Sequence, residues 1–275
     1  MLALKLGMSL TSSNKPSTAA GFLNEYSLDF DGTNDYVTFG DATVFTPNSS
    51  GAGRGFSIGL WFKTTDASTG GFPPQNIYLL GKIQAVGGNS EYTMQVDSTG
   101  KISLKLFGNG GGSPFDPSAT LTTSTALNDG NWKHIIFTWD LGSPVTTSNF
   151  KVYVNGSQDT SATIATSGTL TSVKNALAPL TLAVTGIGGI STHYLEGKLD
   201  EVFIVDDALS SSQVTDIYNG GTPIDMTTIN HLVGWWRNGD PTGTGAFPTI
   251  VDASSNSNDG TMTNMASGDI VTDVP

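Results

Sequence analysis

Residues 132–139 read WKHIIFTW, and this stretch decides the fold. Successive side chains of a strand point to opposite faces, so the consecutive apolar residues Ile135, Ile136 and Phe137 place apolar groups on both faces. The stretch FSIGLWF at residues 56–62 is similarly apolar. Both patterns are typical of central strands that other layers cover on each side.

The segments around these two stretches predict further short strands joined by turns. Residues 92–96 and 102–107 alternate in polarity and flank the turn DSTG at 97–100, which indicates a hairpin. Asn155-Gly156 favours a type I′ turn and a second hairpin. With 34 glycines and only 13% charged residues, the composition also suits strands and turns. The sequence therefore predicts an all-β, two-sheet antiparallel jelly-roll sandwich.

One short helix is predicted near residue 210. Ser210 and Gln213 have the spacing of a capping box, and Val214, Ile217 and Tyr218 form an apolar stripe. Gly220 is the expected left-handed stop. A helix this short is expected to lie on the sandwich as a lid.

Charge and composition exclude several classes of protein. The formal net charge of −12 opposes binding to nucleic acid, because an acidic surface repels phosphates. The chain has no cysteine, which excludes disulfides and thiolate chemistry. It also has no apolar run of membrane-spanning length, so membrane insertion is not expected.

Five segments resemble a known family, in the family's order. They are SLDFDGTNDYV at 27–37, FSIGLWFK at 56–63, LNDGNWKHIIFTWD at 127–140, FKVYVNG at 150–156 and LEGKLDEVFIVDDALSSSQVTDIYNGG at 195–221. They are similar to the laminin-G-like, concanavalin A-like lectin/glucanase superfamily, in its third laminin-G type. The resemblance implies the concanavalin A-like jelly roll.

The two ends of the chain suggest how the domain is delimited. The segments at 232–240 and 251–264 look like the strand pair that usually opens such domains, so residues 223–275 are expected to supply a circularly shifted pair to a domain spanning 22–275. Residues 1–10 alternate with period two, unlike a signal peptide, and residues 11–21 read as a linker. We expect residues 1–21 to form an N-terminal strand and linker that act as an assembly arm.

Glycoside hydrolysis is not expected. Retaining hydrolases need two carboxyl groups roughly 5 Å apart, and inverting ones roughly 6.5–9.5 Å. In an extended strand, Glu196 and Asp200 would share a face at roughly 13 Å, while Glu201 would point to the other face. His134, at a position that is usually His in the family, is expected to be a structural histidine with a hydrogen bond beside Trp132. The chain is therefore predicted not to be an enzyme.

A structural calcium ion is the metal that the resemblance implies. Relatives often hold it with the residues that match Asp200, Asp31 and Gly32 here. Calcium takes oxygen ligands from Asp, Asn and backbone carbonyls in turns. The alternative is that Asp200 pairs with Lys198 or accepts hydrogen bonds from backbone amides.

Aromatic residues in loops are the candidates for stacking on sugars. They are Phe72, Phe115, Tyr194 and Phe247. The alternative is that these side chains cap the core. Trp236, which follows Trp235 in a predicted strand, should face outward and could lie at an interface.

Two functions follow from these observations. The first is a non-catalytic virion protein, such as a capsid decoration, fibre or tail component, because the chain is similar to accessory proteins of marine bacteriophages. Its partners would be shell or tail proteins, itself and host-surface polysaccharide. The alternative is a secreted, extracellular, calcium-dependent carbohydrate-binding lectin module, and a glycoside hydrolase is the third hypothesis.

Overall fold

The computed structural model describes residues 22–48, 51–68, 76–83, 89–109, 116–141, 145–184, 193–239 and 247–275. These residues form two antiparallel sheets and one α-helix. The predicted all-β, two-sheet jelly-roll sandwich with one short helix is confirmed. The N-terminal arm predicted at 1–21 lies outside the described residues.

The first sheet has eight strands. Seven of them follow one another across the sheet in the order β10 (Ser157–Gln158), β9 (Phe150–Val154), β8 (Lys133–Trp139), β3 (Phe56–Lys63), β13 (Glu196–Val205), β1 (Ser27–Asp31) and β17 (Ile270–Val271). The eighth strand, β14 (Leu232–Trp236), pairs with the second half of β13, whereas β1 pairs with its first half.

The second sheet has nine strands. Their order is β11 (Thr163–Ser167), β7 (Ser118–Thr122), β6 (Ile102–Phe107), β5 (Ser90–Val96), β4 (Ile77–Ile83), β12 (Leu180–Leu182), β2 (Tyr36–Thr38), β16 (Gly260–Thr263) and β15 (Thr249–Ile250). The predicted hairpin at 92–107 is the β5–β6 pair, with Met94 opposite Leu104.

The main core lies between the two sheets, and a second core lies outside the eight-stranded sheet. In β8, Ile135 and Phe137 belong to the main core, whereas Ile136 belongs to the second. We call the outer surface of the eight-stranded sheet the covered face, because helix α1 (Ser211–Tyr218) packs Val214 and Ile217 against it. This arrangement explains why the WKHIIFTW stretch is apolar on both faces.

Helix α1 begins where the sequence predicts and ends one residue earlier than expected. Ser210 and Gln213 form the predicted capping box. The left-handed residue that ends the helix is Asn219, with φ of 46°, and Gly220 follows it. Asn tolerates this conformation because its short side chain can hydrogen-bond locally.

The outward orientation predicted for Trp236 is wrong. Its side chain is 0% exposed and its ring lies 4.3 Å from that of Phe39 in the main core. Trp235, on the other side of β14, is buried in the second core. Because both faces of β14 are covered, alternation along the strand exposes neither tryptophan.

The C-terminal tail, residues 223–275, contributes strands to both sheets. β14 and β17 join the eight-stranded sheet, while β15 and β16 join the nine-stranded sheet. The two segments that were expected to pair with each other are thus β14 and β16, in different sheets. A circular shift relative to the family stays a prediction.

Candidate functional site

The outer surface of the nine-stranded sheet carries a line of side chains that crosses all its strands. We call this surface the open face and these residues the central line. In order of strand they are Ala165, Thr120, Lys105, Thr93, Gly81, Thr181, Thr38, Thr261 and Thr249. Residues directly opposite each other in neighbouring strands point to the same face. Their neighbours along the strands, such as Leu104 and Val37, lie in the main core, so the central line points away from it.

Threonine hydroxyls dominate the central line. Six of its nine residues are threonine, and a threonine hydroxyl can both donate and accept a hydrogen bond. Thr181 is buried and uses its hydroxyl within the sheet, donating to the carbonyls of Gly81 (3.2 Å) and Val184 (2.9 Å). Thr38 and Thr120 are partly exposed and Thr261 is exposed. The exposed part of the line thus offers hydroxyls on both sides of Gly81.

A second line runs beside the central line and adds an aromatic ring and an amide. Tyr78 lies opposite Gln95, which lies opposite Ser103, and Thr122 and Thr163 continue the line. The Gln95 amide oxygen accepts a hydrogen bond of 3.1 Å from Asn76 Nδ2, which orients the amide. Burial raises the pKa of Tyr78, so its phenol stays protonated and can donate.

Lys105 is a cation on the central line of the open face. Its Nζ lies 4.7 Å from the centre of the Phe107 ring, and Phe107 is on the same face two residues further along β6. Among the described residues, no carboxylate lies within salt-bridge distance of Lys105. Burial lowers the pKa of the Lys105 ammonium.

The open face therefore combines hydroxyls, oriented amides, partly exposed rings and one ammonium. Directional polar groups beside aromatic surface suit a ligand that is itself rich in hydroxyls and has apolar patches. The two lines run across the strands, and the exposed residues of the central line lie on either side of the buried Thr93, Gly81 and Thr181.

The aromatic residues predicted from the loops are not in these two lines. Tyr194 is partly buried in the segment just before β13, and Phe247 is 42% exposed just before β15. Phe72 and Phe115 lie outside the described residues. The loop-aromatic site thus stays a prediction.

The residues predicted to bind calcium do not converge on one ion. Asp31 lies opposite Glu196 in the β1–β13 pair, which places it four residues, or roughly 13 Å, from Asp200. The Asp31 carboxylate accepts a 2.7 Å hydrogen bond from the Thr33 amide in an exposed turn, and the Gly32 amide donates to the Leu195 carbonyl. Among the described residues, no group of three or more His, Cys, Asp or Glu side chains is placed to hold a metal ion. These residues do not fit a single calcium site, and calcium binding itself stays a prediction.

Asp200 has hydrogen-bond partners instead. Its carboxylate accepts from Asn24 Nδ2 and from the Glu201 amide, each at 2.8 Å. Lys198 instead pairs with Asp29, and its Nζ lies 3.3 Å from Asp29 Oδ2. The alternative in which Asp200 accepts a backbone amide therefore describes its surroundings, whereas a pair with Lys198 does not.

A β-bulge in β13 corrects the orientation predicted for Glu201. Asp200 lies opposite Trp61 and Phe203 opposite Gly59, so two residues of β13 face one of β3. Glu201 adopts φ of 47°, and its side chain lies on the covered face with Trp61 and Phe203 rather than on the inner face. There its carboxylate accepts from Trp235 Nε1 and, at 3.3 Å, from Arg237 Nε. The extended-strand geometry assumed for Glu201 was wrong, because the bulge inserts a residue.

His134 lies in the middle of the covered face. It is buried opposite Trp61, and its ring lies 4.8 Å from the Trp61 ring and 5.8 Å from the Tyr218 ring. The hydrogen bond predicted beside Trp132 is not found for its Nε2, which has no partner among the described residues. Burial lowers the pKa of His134 to about 3. The histidine is thus held neutral in an aromatic stack.

The residues of the open face were not predicted from the sequence, because the candidate binding residues were sought in loops. Tyr78, Gln95 and Lys105 occupy outward positions of strands whose alternation is visible in the sequence. An aromatic or basic residue at an outward position of a half-buried strand was the available signal. The strand register that places these residues side by side cannot be recognised from the sequence.

Comparisons with known proteins agree with this architecture. A family described as the concanavalin A-like lectin/glucanases superfamily, of the third laminin-G type, matches residues 31–215, more than half of the 275-residue chain. No curated protein matches the chain. No helix among the described residues is long and apolar enough to cross a membrane.

Solved structures that are similar to the chain share little sequence with it. A candidate carbohydrate-binding protein of Bacteroides ovatus has 15% identity and a TM-score of 0.57, and the match covers 92% of this chain and 62% of that one. A pentraxin of Limulus polyphemus similar to serum amyloid P has 20% identity and a TM-score of 0.47, covering 74% and 88%. The CBM40 module of the Ruminococcus gnavus IT-sialidase has 13% identity and a TM-score of 0.48, covering 71% and 98%.

Proposed function

The chain belongs to the concanavalin A-like lectin/glucanases superfamily, and from this premise we propose that it is a non-catalytic module that binds carbohydrate on its open face. The observation that carries the proposal is the pair of lines across the nine-stranded sheet, with the Tyr78 ring beside hydroxyl and amide groups. A sugar ring presents hydroxyls at its edge and C–H groups on its face, so it needs both kinds of contact.

The dimensions of the open face favour a polysaccharide over a single sugar. Neighbouring strands lie about 4.8 Å apart, so the eight gaps between nine strands span roughly 38 Å. Thr93, Gly81 and Thr181 are buried in the middle of the central line, so an extended chain of several sugar residues would contact the exposed parts on either side of them. Affinity would come from many modest hydrogen bonds, each about 0.5–1.5 kcal/mol.

The positions of the carboxylates support a non-catalytic role. Glu196 and Asp200 are separated by four residues of β13, roughly 13 Å, which is beyond the separations that either hydrolysis mechanism uses. Glu201 is buried and bound by Trp235 and Arg237. Its carboxylate is thereby committed to the covered face, away from the open face.

Replacing Tyr78 with Ala should weaken polysaccharide binding by about tenfold, because stacking and a phenol hydrogen bond are lost together. Affinity electrophoresis and calorimetry against a panel of surface polysaccharides would measure this effect. Phe247→Ala is the matched variant, since it removes an exposed loop aromatic and should leave affinity unchanged.

Thermal melts of both variants would show that they are folded. A loss of binding in Phe247→Ala but not in Tyr78→Ala would move the site to the loops, and no binding to any polysaccharide would contradict the proposal. Repeating the titrations with calcium and with EDTA tests the alternative of a calcium-dependent secreted lectin. That alternative requires the affinity to fall in EDTA.

We further propose that the module serves on a virus particle, where it would attach to host-surface polysaccharide. The support is the resemblance in sequence to bacteriophage accessory proteins. Assembly with shell or tail proteins, or with itself, is assigned to residues 1–21.

Deleting residues 1–21 should remove the protein from particles, because the proposed assembly segment is lost, and should leave polysaccharide affinity unchanged. Immunoblots of purified particles, compared with the full chain, would measure incorporation. Unchanged incorporation would contradict the assembly role.

A further inference from the structure

Lys105 differs from the cations that the fold uses for structure. Six other cations of the described residues lie near carboxylates, namely Lys63, Lys82, Lys133, Lys174, Lys198 and Arg237. Lys105 has no such partner, although the chain has twice as many acidic as basic residues, 24 against 12. Arg54, Lys101 and Lys151 also lie outside the salt bridges of the described residues, but Lys105 differs from them in lying on the central line. Its ammonium lies over the Phe107 ring at 4.7 Å.

The surroundings of Lys105 are neutral. Thr93 and Thr120 lie directly opposite it in the neighbouring strands, and Ser103 and Phe107 flank it on the same face of β6. A partly buried charge without a counter-charge loses hydration, which the contact with the Phe107 ring replaces only in part because a ring supplies no full negative charge. An anionic group on a ligand would stabilise the Lys105 ammonium, because a charge-assisted hydrogen bond would replace the lost hydration.

We infer that the ligand of the open face is an acidic polysaccharide whose uronate carboxylate binds the Lys105 ammonium. This inference rests on the proposed function and narrows its ligand class. The carboxylate would lie on the central line, beside the partly exposed Thr120.

The net charge of the protein favours a ligand with few, widely spaced anionic groups over a densely charged one. The formal net charge of −12 repels a polyanion as a whole, and the residues directly opposite the Lys105 ammonium are neutral. A saccharide with an occasional uronate makes the contact with Lys105 and is only weakly repelled by the net charge of the protein. A nucleic acid or a fully charged polymer would pay repulsion along its whole length.

The test compares one polymer with and without its carboxylates. Gellan, in which glucuronate residues are sparse, and carboxyl-reduced gellan are titrated against the full chain, Lys105→Met, Lys105→Arg and Lys151→Met. Met keeps the length of the lysine stem without its charge. Lys151 lies on β9 of the other sheet, so its replacement is the matched control.

Carboxyl reduction should weaken binding to the full chain by about tenfold or more, as expected for one charge-assisted hydrogen bond. Lys105→Met should bind both polymers equally, and Lys105→Arg and Lys151→Met should still prefer gellan. The preference should shrink with added salt, which screens the interaction.

Three results would overturn the inference in different ways. If the full chain binds both polymers equally while Tyr78→Ala loses binding, the carbohydrate site stands and the acidic ligand is wrong. If Lys105→Met keeps the full preference for gellan, the carboxylate binds elsewhere. If no polysaccharide of the panel or gellan binds, both the proposed function and this inference fail.

Discussion

Replacing Lys82 with Met is expected to lower the free energy of unfolding by about 3–5 kcal/mol. Lys82 and Glu91 are both 0% exposed, and Lys82 Nζ lies 2.6 Å from Glu91 Oε1 and 2.7 Å from Asp41 Oδ1. Removing one member of a buried ion pair leaves the other charged group without its partner. Glu91 would then have to lose its charge or draw in water.

Glu91 also joins two connecting segments to the nine-stranded sheet. Its carboxylate accepts from the Thr46 hydroxyl at 2.7 Å and from the Ala176 amide at 2.8 Å. Burial raises the pKa of Glu91 even beside Lys82, so without the lysine the carboxyl should take up a proton more readily. The loss in Lys82→Met should therefore be larger at neutral than at acidic pH.

Denaturant unfolding at neutral pH would measure this loss. Lys174→Met is the matched control, because its pair with Asp116 is longer at 3.5 Å and Lys174 is partly exposed, so about 1 kcal/mol or less is expected. The double variant Lys82→Met, Glu91→Gln should recover much of the stability, since it removes both charges, its amide oxygen can accept from the Ala176 amide, and its NH2 group can donate to the Thr46 hydroxyl. A Lys82→Met variant within about 1 kcal/mol of the parent would contradict the account.

Acid is expected to destabilise the protein through His134, by about 1.4 kcal/mol for each pH unit below 6.5. Burial lowers the pKa of His134 from 6.5 to about 3, so the unfolded chain binds a proton that the folded protein refuses. Protonation thus favours the unfolded state as the pH falls from 6.5 towards about 3, whereas above 6.5 the histidine contributes no pH dependence. Other titratable groups also make the stability depend on pH. The contribution of His134 must therefore be measured as the difference between the parent and a variant that lacks the histidine.

Stability curves of the parent and His134→Phe would isolate this contribution. Phe keeps a flat ring beside Trp61 and Tyr218 and removes the titration. His231→Asn is the control, because His231 is exposed and Asn tolerates its φ of 61°. The His134→Phe curve should be flatter than the other two between pH 6.5 and 4.5, and three parallel curves would show that His134 does not titrate on unfolding.

Sequence reasoning predicted the parts of this fold that depend on local patterns. The two-sided apolar stretch at 132–139 gave a central strand, and the Ser210–Gln213 spacing gave the helix start. It failed at the bulge beside Glu201, because a glutamate at positive φ has no preference that a sequence could reveal. It failed at Trp236 because alternation cannot tell a solvated face from one that another segment covers.

The candidate site was harder to predict for a related reason. Tyr78, Gln95 and Lys105 lie in three different strands and meet only through register. Register depends on which strands become neighbours, and that is decided by the packing of the whole sandwich. The sequence instead predicted a binding site in the loops, where exposed aromatic residues are easiest to recognise.

The strand pair β1–β17 has a consequence for how the module can be mounted. Ser27 lies opposite Val271, and the Ser27 hydroxyl donates to the Asp273 carbonyl, so the chain enters and leaves the sandwich side by side. Phe22, before β1, rests on Trp235 on the covered face. Both ends thus belong to the eight-stranded sheet, and the open face belongs to the other. A tether at either end would therefore attach at the β17 edge of the eight-stranded sheet and would leave the open face of the other sheet uncovered.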